Sequence, residues 1–520
     1  MSGSGPEDRG SNPRGASYLK SLLTFRRIKY LMRVYITTPI YYPNDRPHIG
    51  SLYTTVLADF LTKFSRILNN DAYMLTGLDE HGYKLYKSAK ELNKDPLEFV
   101  DEMQKYYRKA WEKFQIDYFR FIRTTDKQHE DVVKHVMEIL YDKGYIYQGK
   151  YSGYYCVKCE AFYPVSRLIK EEDKYICPVH MKEVDFLEEE TYYLKITEFK
   201  DWIKKLIDTK EEFITPKGYK NEVLSYINEL EDVSIARPKE RVPWAVELPF
   251  DKNYTVYVWV DALLNYLTAI GWPDEIYKDF WPAIHVIGKD ILKFHAVIWP
   301  ILLKMLDIEP PRKIVVNGFW TVKGMKIGKS VKDVIDLGKL YVESMENVEA
   351  YRYYLLRNAP MEKDSDLNLD DVNRVYNDEL ADIVGNGFKR ATALAVKKGV
   401  IRGRVDSEVL EKLKSIIKEV DDLYLKVLPS QYTLLVLKIF KYLNEYLQEK
   451  QPWKNHNENL LYNALFIAKI GLTLLYPVLP KVSENALNTI GTPLKPIKYM
   501  FLEESFYVKQ SPILFPKIKS

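Results

Sequence analysis

Cysteine is nearly absent, with three in 520 residues. So few thiols, odd in number, exclude a disulfide framework. With no secretory leader recognised, a reducing compartment is the default and a cytoplasmic location is expected. No apolar run approaches the about 18 residues that a membrane-spanning helix needs. An excess of one charge is missing too: the chain carries a formal +4. Residues 1–33 hold seven Lys/Arg against Glu7 and Asp8, which leaves a net charge of about −1 for residues 34–520. Any contact with nucleic acid must therefore use local patches, not overall charge. Glutamine is scarce as well, eight residues beside abundant Lys, Glu and Tyr, a balance that leans toward a thermophile.

What is present is a globular composition, 46% hydrophobic, long enough for two to four domains. Residues 1–32 open with a Ser/Gly/Pro-rich stretch and are expected to be a disordered, dispensable extension. The basic segment after it has some character of a transit peptide, against which Glu7 and Asp8 weigh. "RVYITTPIYY" and "DAYMLTGLDEHG" read as apolar strands ending in polar residues, with a helical pattern between them. This alternation predicts a parallel, doubly wound α/β sheet over 33–144, resuming over 251–322, with ligands outside the carboxyl ends of the strands. Residues 145–250 have another texture, rich in Tyr, Lys and Glu and holding every cysteine, and read as an insertion. A lysine-bearing loop region spans 323–370, and from 371 to 520 strand signals nearly vanish and helical periodicity dominates, predicting a helical bundle.

Two stretches carry chemistry on their own terms. "RPHIGS" is placed at the start of the first helix, with Pro47 in its first turn, where a missing N–H costs nothing. Gly50 removes a side chain, and helix N–H groups with His48 beside them suit a phosphate. "CVKCEAFYPVSRLIKEEDKYICPVH" presents Cys156 and Cys159, then Cys177 and His180, as two close pairs. Such pairs can close a tetrahedral site, so one structural Zn2+ per chain is expected, a catalytic zinc being the weaker alternative.

"KGMKIGKS" adds Lys326, Lys329 and Ser330 in a glycine-containing loop. Together with "PHIGS" it resembles the HIGH and KMSKS signatures of class I aminoacyl-tRNA synthetases. "GLDEHG", "SIARPKERVPW", "YVWVDALLNY", "IGKDILKFHAVIWP", "RYYLLR" and "KQPW" extend the likeness, in order, from Tyr35 to Pro516. The chain is similar, within that class, to the methionyl-tRNA synthetase family. Two departures stand out: Ser51 replaces the second signature histidine, and Ile327 and Gly328 replace the usual Met and Ser of the lysine loop.

The resemblance implies a Rossmann-type catalytic domain split by a zinc-bearing insertion and followed by an all-α anticodon-binding bundle. It implies that methionine is activated with ATP and Mg2+, and that methionyl then passes to a tRNA with a CAU anticodon. His48, Ser51, Lys326 and Lys329 would be catalytic, and with Gly50 and Ser330 they would bind ATP. Methionine would lie among Ile40, Tyr42, Asp79, Trp259, Ala262, Leu263, Tyr266, Ile291 and His295, with Asp79 on the α-ammonium group. Tyr266 and His295 would distinguish a thioether from plain hydrocarbon. His81 and Gly82 would shape their loop, and His285 would be structural. Asn386, Arg390 and Trp453 would read the anticodon, the tryptophan as a stacking platform. A monomer is implied by the same likeness.

Three rival readings stay open at this level. A leucine, isoleucine or valine enzyme of the same class would carry a larger insertion. A small adenylyltransferase would lack the bundle. A non-catalytic, tRNA-binding paralogue is suggested by Ser51 and Gly328.

Overall fold

The computed structural model describes residues 32–156, 161–163, 165–171, 174–179, 181–327, 337–455 and 457–518. The expected N-terminal extension up to residue 31 lies outside them, as do Cys159, His180, Lys329 and Ser330.

The chain enters on strand β1 (Arg33–Tyr41), passes through helix α1 (Ile49–Ile67), and returns on β2 (Asp71–Leu78). Strand β3 (Arg120–Arg123) and helix α2 (Lys127–Asp142) complete this half. Two long strands, β4 (Ile146–Cys156) and β5 (Asp185–Leu194), pair antiparallel from Ile146 opposite Leu194 to Tyr155 opposite Asp185. They form the body of the predicted insertion. The chain then makes a two-residue strand, β6 (Ile214–Thr215), and reaches α3 (Val258–Thr268), β7 (Ile284–Gly288) and β8 (Lys313–Asn317).

The main sheet has the order β3-β2-β1-β7-β8-β6, parallel throughout. The direction of winding reverses between β1 and β7, so the connections leaving their carboxyl ends diverge and leave a crevice there. Two details differ from the sequence expectation. Ile214 and Thr215, inside the span read as an insertion, return to the main sheet as its edge beside β8. The apolar run before α3 gives only a three-residue strand, Tyr254–Val256, paired antiparallel with Ala236–Pro238 outside that sheet. Apolar content alone does not distinguish these partners.

At the end of β1 the register against β2 slips by one residue between Thr37 and Ile40, where Pro39 has no N–H to donate. Gly77 sits opposite, and a Cβ there would fall 2.1 Å from the Ile122 carbonyl oxygen, so only glycine fits. These devices set how Ile40 and Tyr41 meet β2 and where Tyr42 leaves the sheet.

Every residue of α1 is buried except Gly50, Ser51 and Arg66. One side of the helix packs on β1 and β2. The other side is covered by α4 (Val348–Arg357) and the C-terminal helices, with Phe60 and Phe64 both packed on Tyr432. The C-terminal region is helical, built around α5 (Asn386–Ala395), α6 (Pro429–Lys450) and α7 (Glu458–Leu475). One small strand pair, Val400–Ile401 with Phe506–Tyr507, closes it. Among the described residues, no helix is long and apolar enough to cross a membrane.

Candidate active site

A cavity of about 510 Å³ opens at the reversal point of the sheet. That volume suits a small-molecule substrate. Residues at or just past four strand ends converge on it: Ile40 and Tyr42 at β1, Asp79 after β2, Gly288 and Asp290 at β7, Asn317 and Gly318 at β8. Helix α3 supplies a fifth wall through Trp259, Ala262, Leu263 and Tyr266, and Ile291 and His295 close the floor. All nine residues expected around methionine, together with His48, Gly50 and Ser51, line this one space.

His48 is the N-cap of α1, with an extended backbone, and Pro47 therefore lies just before the helix and not in its first turn. The reason is local. His48 Nδ1 accepts the Gly50 N–H at 3.0 Å, and Ser51 Oγ accepts the His48 N–H at 3.2 Å, a reciprocal capping box. An Nδ1 that accepts leaves the ring proton on Nε2 in the neutral tautomer. Ser51 Oγ also donates to the His48 carbonyl at 2.9 Å. Its hydroxyl proton is thus committed to the cap, a competing use for the group expected to face ATP. Gly50 is required by the same cap: a Cβ there would sit 2.9 Å from His48 Cε1.

The wall formed by α3, Ile291 and His295 is apolar with two polar tips. Tyr266 OH donates to His295 Nε2 at 2.7 Å, and His295 Nδ1 donates to the Ile291 carbonyl at 3.0 Å. Burial pushes the His295 pKa down to about 4 and the Tyr266 hydroxyl upward, so both are neutral at physiological pH. Behind them, buried His285 uses both ring nitrogens, with Thr37 at 2.7 Å and the Trp299 indole at 3.1 Å, which fits a structural histidine. Trp259 stacks on Phe294 with centroids 3.9 Å apart. A neutral, aromatic lining of this kind suits a polarizable apolar side chain.

The lysine loop is anchored on both sides of the cavity. Its first stem, Met325–Lys326, pairs with Trp320–Val322, and Ile327 reaches the cavity. Its second stem docks on the loop before His48. The Val342 N–H donates to the Pro47 carbonyl at 3.0 Å, Tyr341 OH donates to the Asp45 carboxylate at 3.0 Å, and Arg46 pairs with Glu343. The backbones of His48 and Tyr341 meet in a β-bridge.

Sequence reasoning missed Gly288, Asp290, Asn317 and Gly318 as lining residues. Their position at the carboxyl ends of β7 and β8 was the available signal.

The remaining predicted residues lie elsewhere. Cys156 and Cys177 are buried and share a small core with Val184 in the insertion. No group of three or more metal-ligating side chains occurs among the described residues, and two of the four expected ligands are outside them. Asn386 is exposed at the start of α5, and Arg390, one turn on, places its guanidinium 5.5 Å from the Trp453 ring. Trp453 itself is 38% exposed.

Comparison with known proteins shows the family. A family model described as tRNA synthetases class I (M) matches residues 34–184 and 170–392. Methionine–tRNA ligase of Thermotoga maritima is 36% identical over 488 residues, covering 90% of this chain and 76% of that one. The enzyme of the same name from Caldanaerobacter subterraneus is 34% identical over 510 residues, covering 93% and 78%. The structure of Mycobacterium tuberculosis methionyl-tRNA synthetase in complex with methionyl-adenylate superposes with a TM-score of 0.87 at 29% identity, covering 93% of this chain and all of that one.

Proposed function

The chain belongs to the methionine branch of the class I tRNA synthetases, and from that premise we propose a two-step reaction for it. Methionine is activated with ATP to methionyl-adenylate, and the methionyl group then passes to the terminal ribose of its tRNA. The observation that carries this reading is the single cavity lined by His48, Gly50 and the nine residues suited to methionine.

In the first step a methionine carboxylate oxygen bonds to the α-phosphorus of ATP. The bond from that phosphorus to the bridging oxygen breaks, and pyrophosphate leaves with its electrons. Negative charge approaches negative charge, so the protein's part is alignment and electrostatic stabilisation. His48, its proton on Nε2, donates to the phosphates as charge develops. Lys326 and Lys329 act from the lysine loop, with Ser330 beside them, while Gly50 and Ser51 hold the helix start in place. Magnesium enters with the nucleotide phosphates. Asp79 takes the α-ammonium group, and Tyr266 and His295 present uncharged polar tips to the thioether.

In the insertion, Cys156, Cys159, Cys177 and His180 hold one structural zinc. Two buried thiols in one small core fit that metal's preference for soft ligands. Metal analysis of the purified protein should find one zinc per chain. The helical region reads a CAU anticodon through Asn386, Arg390 and Trp453, and the enzyme works as a cytoplasmic monomer.

ATP–pyrophosphate exchange, measured with each of the twenty amino acids, tests the reading. Methionine should support it best. Better exchange with leucine, isoleucine or valine would assign the chain to another branch, and none with any would point to a non-catalytic role.

A further inference from the structure

Asp261 lies on α3 between Trp259 and Ala262, yet it does not line the cavity. It is fully buried, and its carboxylate is held from two sides. His81 Nδ1 approaches Oδ2 at 2.7 Å, and His129 Nε2 approaches Oδ1 at 2.8 Å. A carboxylate accepts only, so both ring nitrogens donate. His81 belongs to the turn after β2, two residues beyond Asp79. His129 belongs to α2 and places Nδ1 3.1 Å from Thr268 Oγ1, at the far end of α3.

Three elements are thereby tied at one buried point. The His81 side is braced further: its ring meets Trp244 edge-on, the Trp244 indole donates to the Glu80 carbonyl at 2.6 Å, and the Gly82 N–H donates to the Trp244 carbonyl at 2.8 Å. Glu130 stands 3.9 Å from His81 Nε2, and Glu80 carries Arg123 and Thr125.

The two ends of methionine would be held by different elements. In the reading above, Asp79 takes the ammonium group and α3 forms much of the side-chain wall. We propose that His81 and Asp261 are positioning residues that fix the end of β2 against α3, and so set the spacing between the ammonium site and the side-chain pocket. An isolated buried carboxylate would cost several kcal/mol, so the clasp has one favourable geometry and resists sliding. Burial opposes ionisation of Asp261, but the two imidazoles bring its pKa down to about 2. Burial also opposes the His81 charge, and Asp261 overcomes it and raises that pKa. The inference rests on the proposed methionine activation.

The test is ATP–pyrophosphate exchange with the full chain, read as separate KM values for methionine and ATP. His81→Asn keeps an amide nitrogen near the position of Nδ1, whereas His81→Gln moves it toward that of Nε2, away from Asp261. His81→Gln and His81→Ala should raise the methionine KM about tenfold or more, with the ATP KM and kcat within about threefold. His81→Asn should recover most of the methionine KM. Equal methionine KM values for Asn and Gln, or parallel rises for methionine and ATP, would overturn the proposal. Should the alanine variant fail to fold, the Asn and Gln pair still decides. Wild-type protein inactive with methionine would instead defeat the underlying functional reading.

Discussion

Arg352 and Asp59 form an ion pair that water does not reach, their side chains 1% and 0% exposed. Asp59 sits on α1 nearly three turns below His48, and Arg352 comes from α4, which follows the lysine loop. The same guanidinium donates to the carbonyls of Val478 at 2.6 Å and Phe114 at 2.9 Å, while Lys63 shares the Asp59 carboxylate. Burial alone would raise the Asp59 pKa, and Lys63 and Arg352 more than reverse that. The helix that carries His48 is thus pinned to the C-terminal helices through charges whose loss cannot be compensated by water. Arg352→Ala should cost about 3–5 kcal/mol in urea unfolding, the usual penalty for breaking a buried pair from one side. A loss below about 1 kcal/mol would show that the pin carries no weight.

His48 offers a sharper test of chemistry. With Nδ1 accepting the Gly50 N–H, the ring proton sits on Nε2, which is the donor atom. His48→Ala should reduce exchange by about 10²–10³, as loss of a preorganised donor does. His48→Gln, whose amide nitrogen approximates Nε2, should retain more activity than His48→Asn. The reverse order would make Nδ1 the working atom.

The pH dependence of stability follows from His295. Its pKa falls from an ordinary 6.5 to about 4 because burial penalises the cation. The unfolded chain therefore takes up the proton first, so the stabilisation is fully present above about pH 6.5 and is lost as pH falls toward 4. The full effect is about 3 kcal/mol. Buried His285 shifts the same way. His81, shifted upward, contributes stability that is fully present below its unfolded value and is lost as pH rises above it, so it leaves the acid limb untouched. Melting temperatures between pH 7 and 5 should drop more steeply for the wild type than for His295→Asn. Parallel slopes would mean that His295 is already hydrated in the folded state.

At the other end of the chain, Trp453→Ala should lower charging of a CAU-anticodon tRNA by about tenfold or more, since base stacking on an aromatic platform is worth roughly 1–3 kcal/mol. Methionine-dependent exchange should remain within about twofold, because the adenylate forms without tRNA. If the variant charges CAU and altered-anticodon tRNAs in the wild-type ratio, Trp453 only packs against Arg390.

The strand ends were legible in the sequence because they depend on local order: apolar strand, polar exit, helix. The wall residues came from the family resemblance, and the structure brings them to one cavity. Pairings set by distant partners were not. Nothing local in the sequence marks Asp59 and Lys63 as buried, and only a residue nearly three hundred positions later makes their burial tolerable. Ile214 and Thr215 lie within a Tyr-rich insertion by composition, and join the main sheet because β8 leaves an edge for them. Pro47 fell outside the helix because the capping box of His48 and Ser51 starts it at Ile49. Asp261 carries no mark of its role in the sequence, since nothing local announces that His81 and His129 converge on it.

The most direct test of the central claim is a quenched-flow measurement of adenylate formation from ATP and amino acid, without tRNA. Wild-type protein should form methionyl-adenylate and leave leucine, isoleucine and valine far behind at equal concentration. His48→Ala should bind methionine with nearly unchanged affinity and form the adenylate at least a hundredfold more slowly. An undiminished rate in His48→Ala, or adenylate formed equally well from leucine, would contradict the assignment of this cavity to methionine activation.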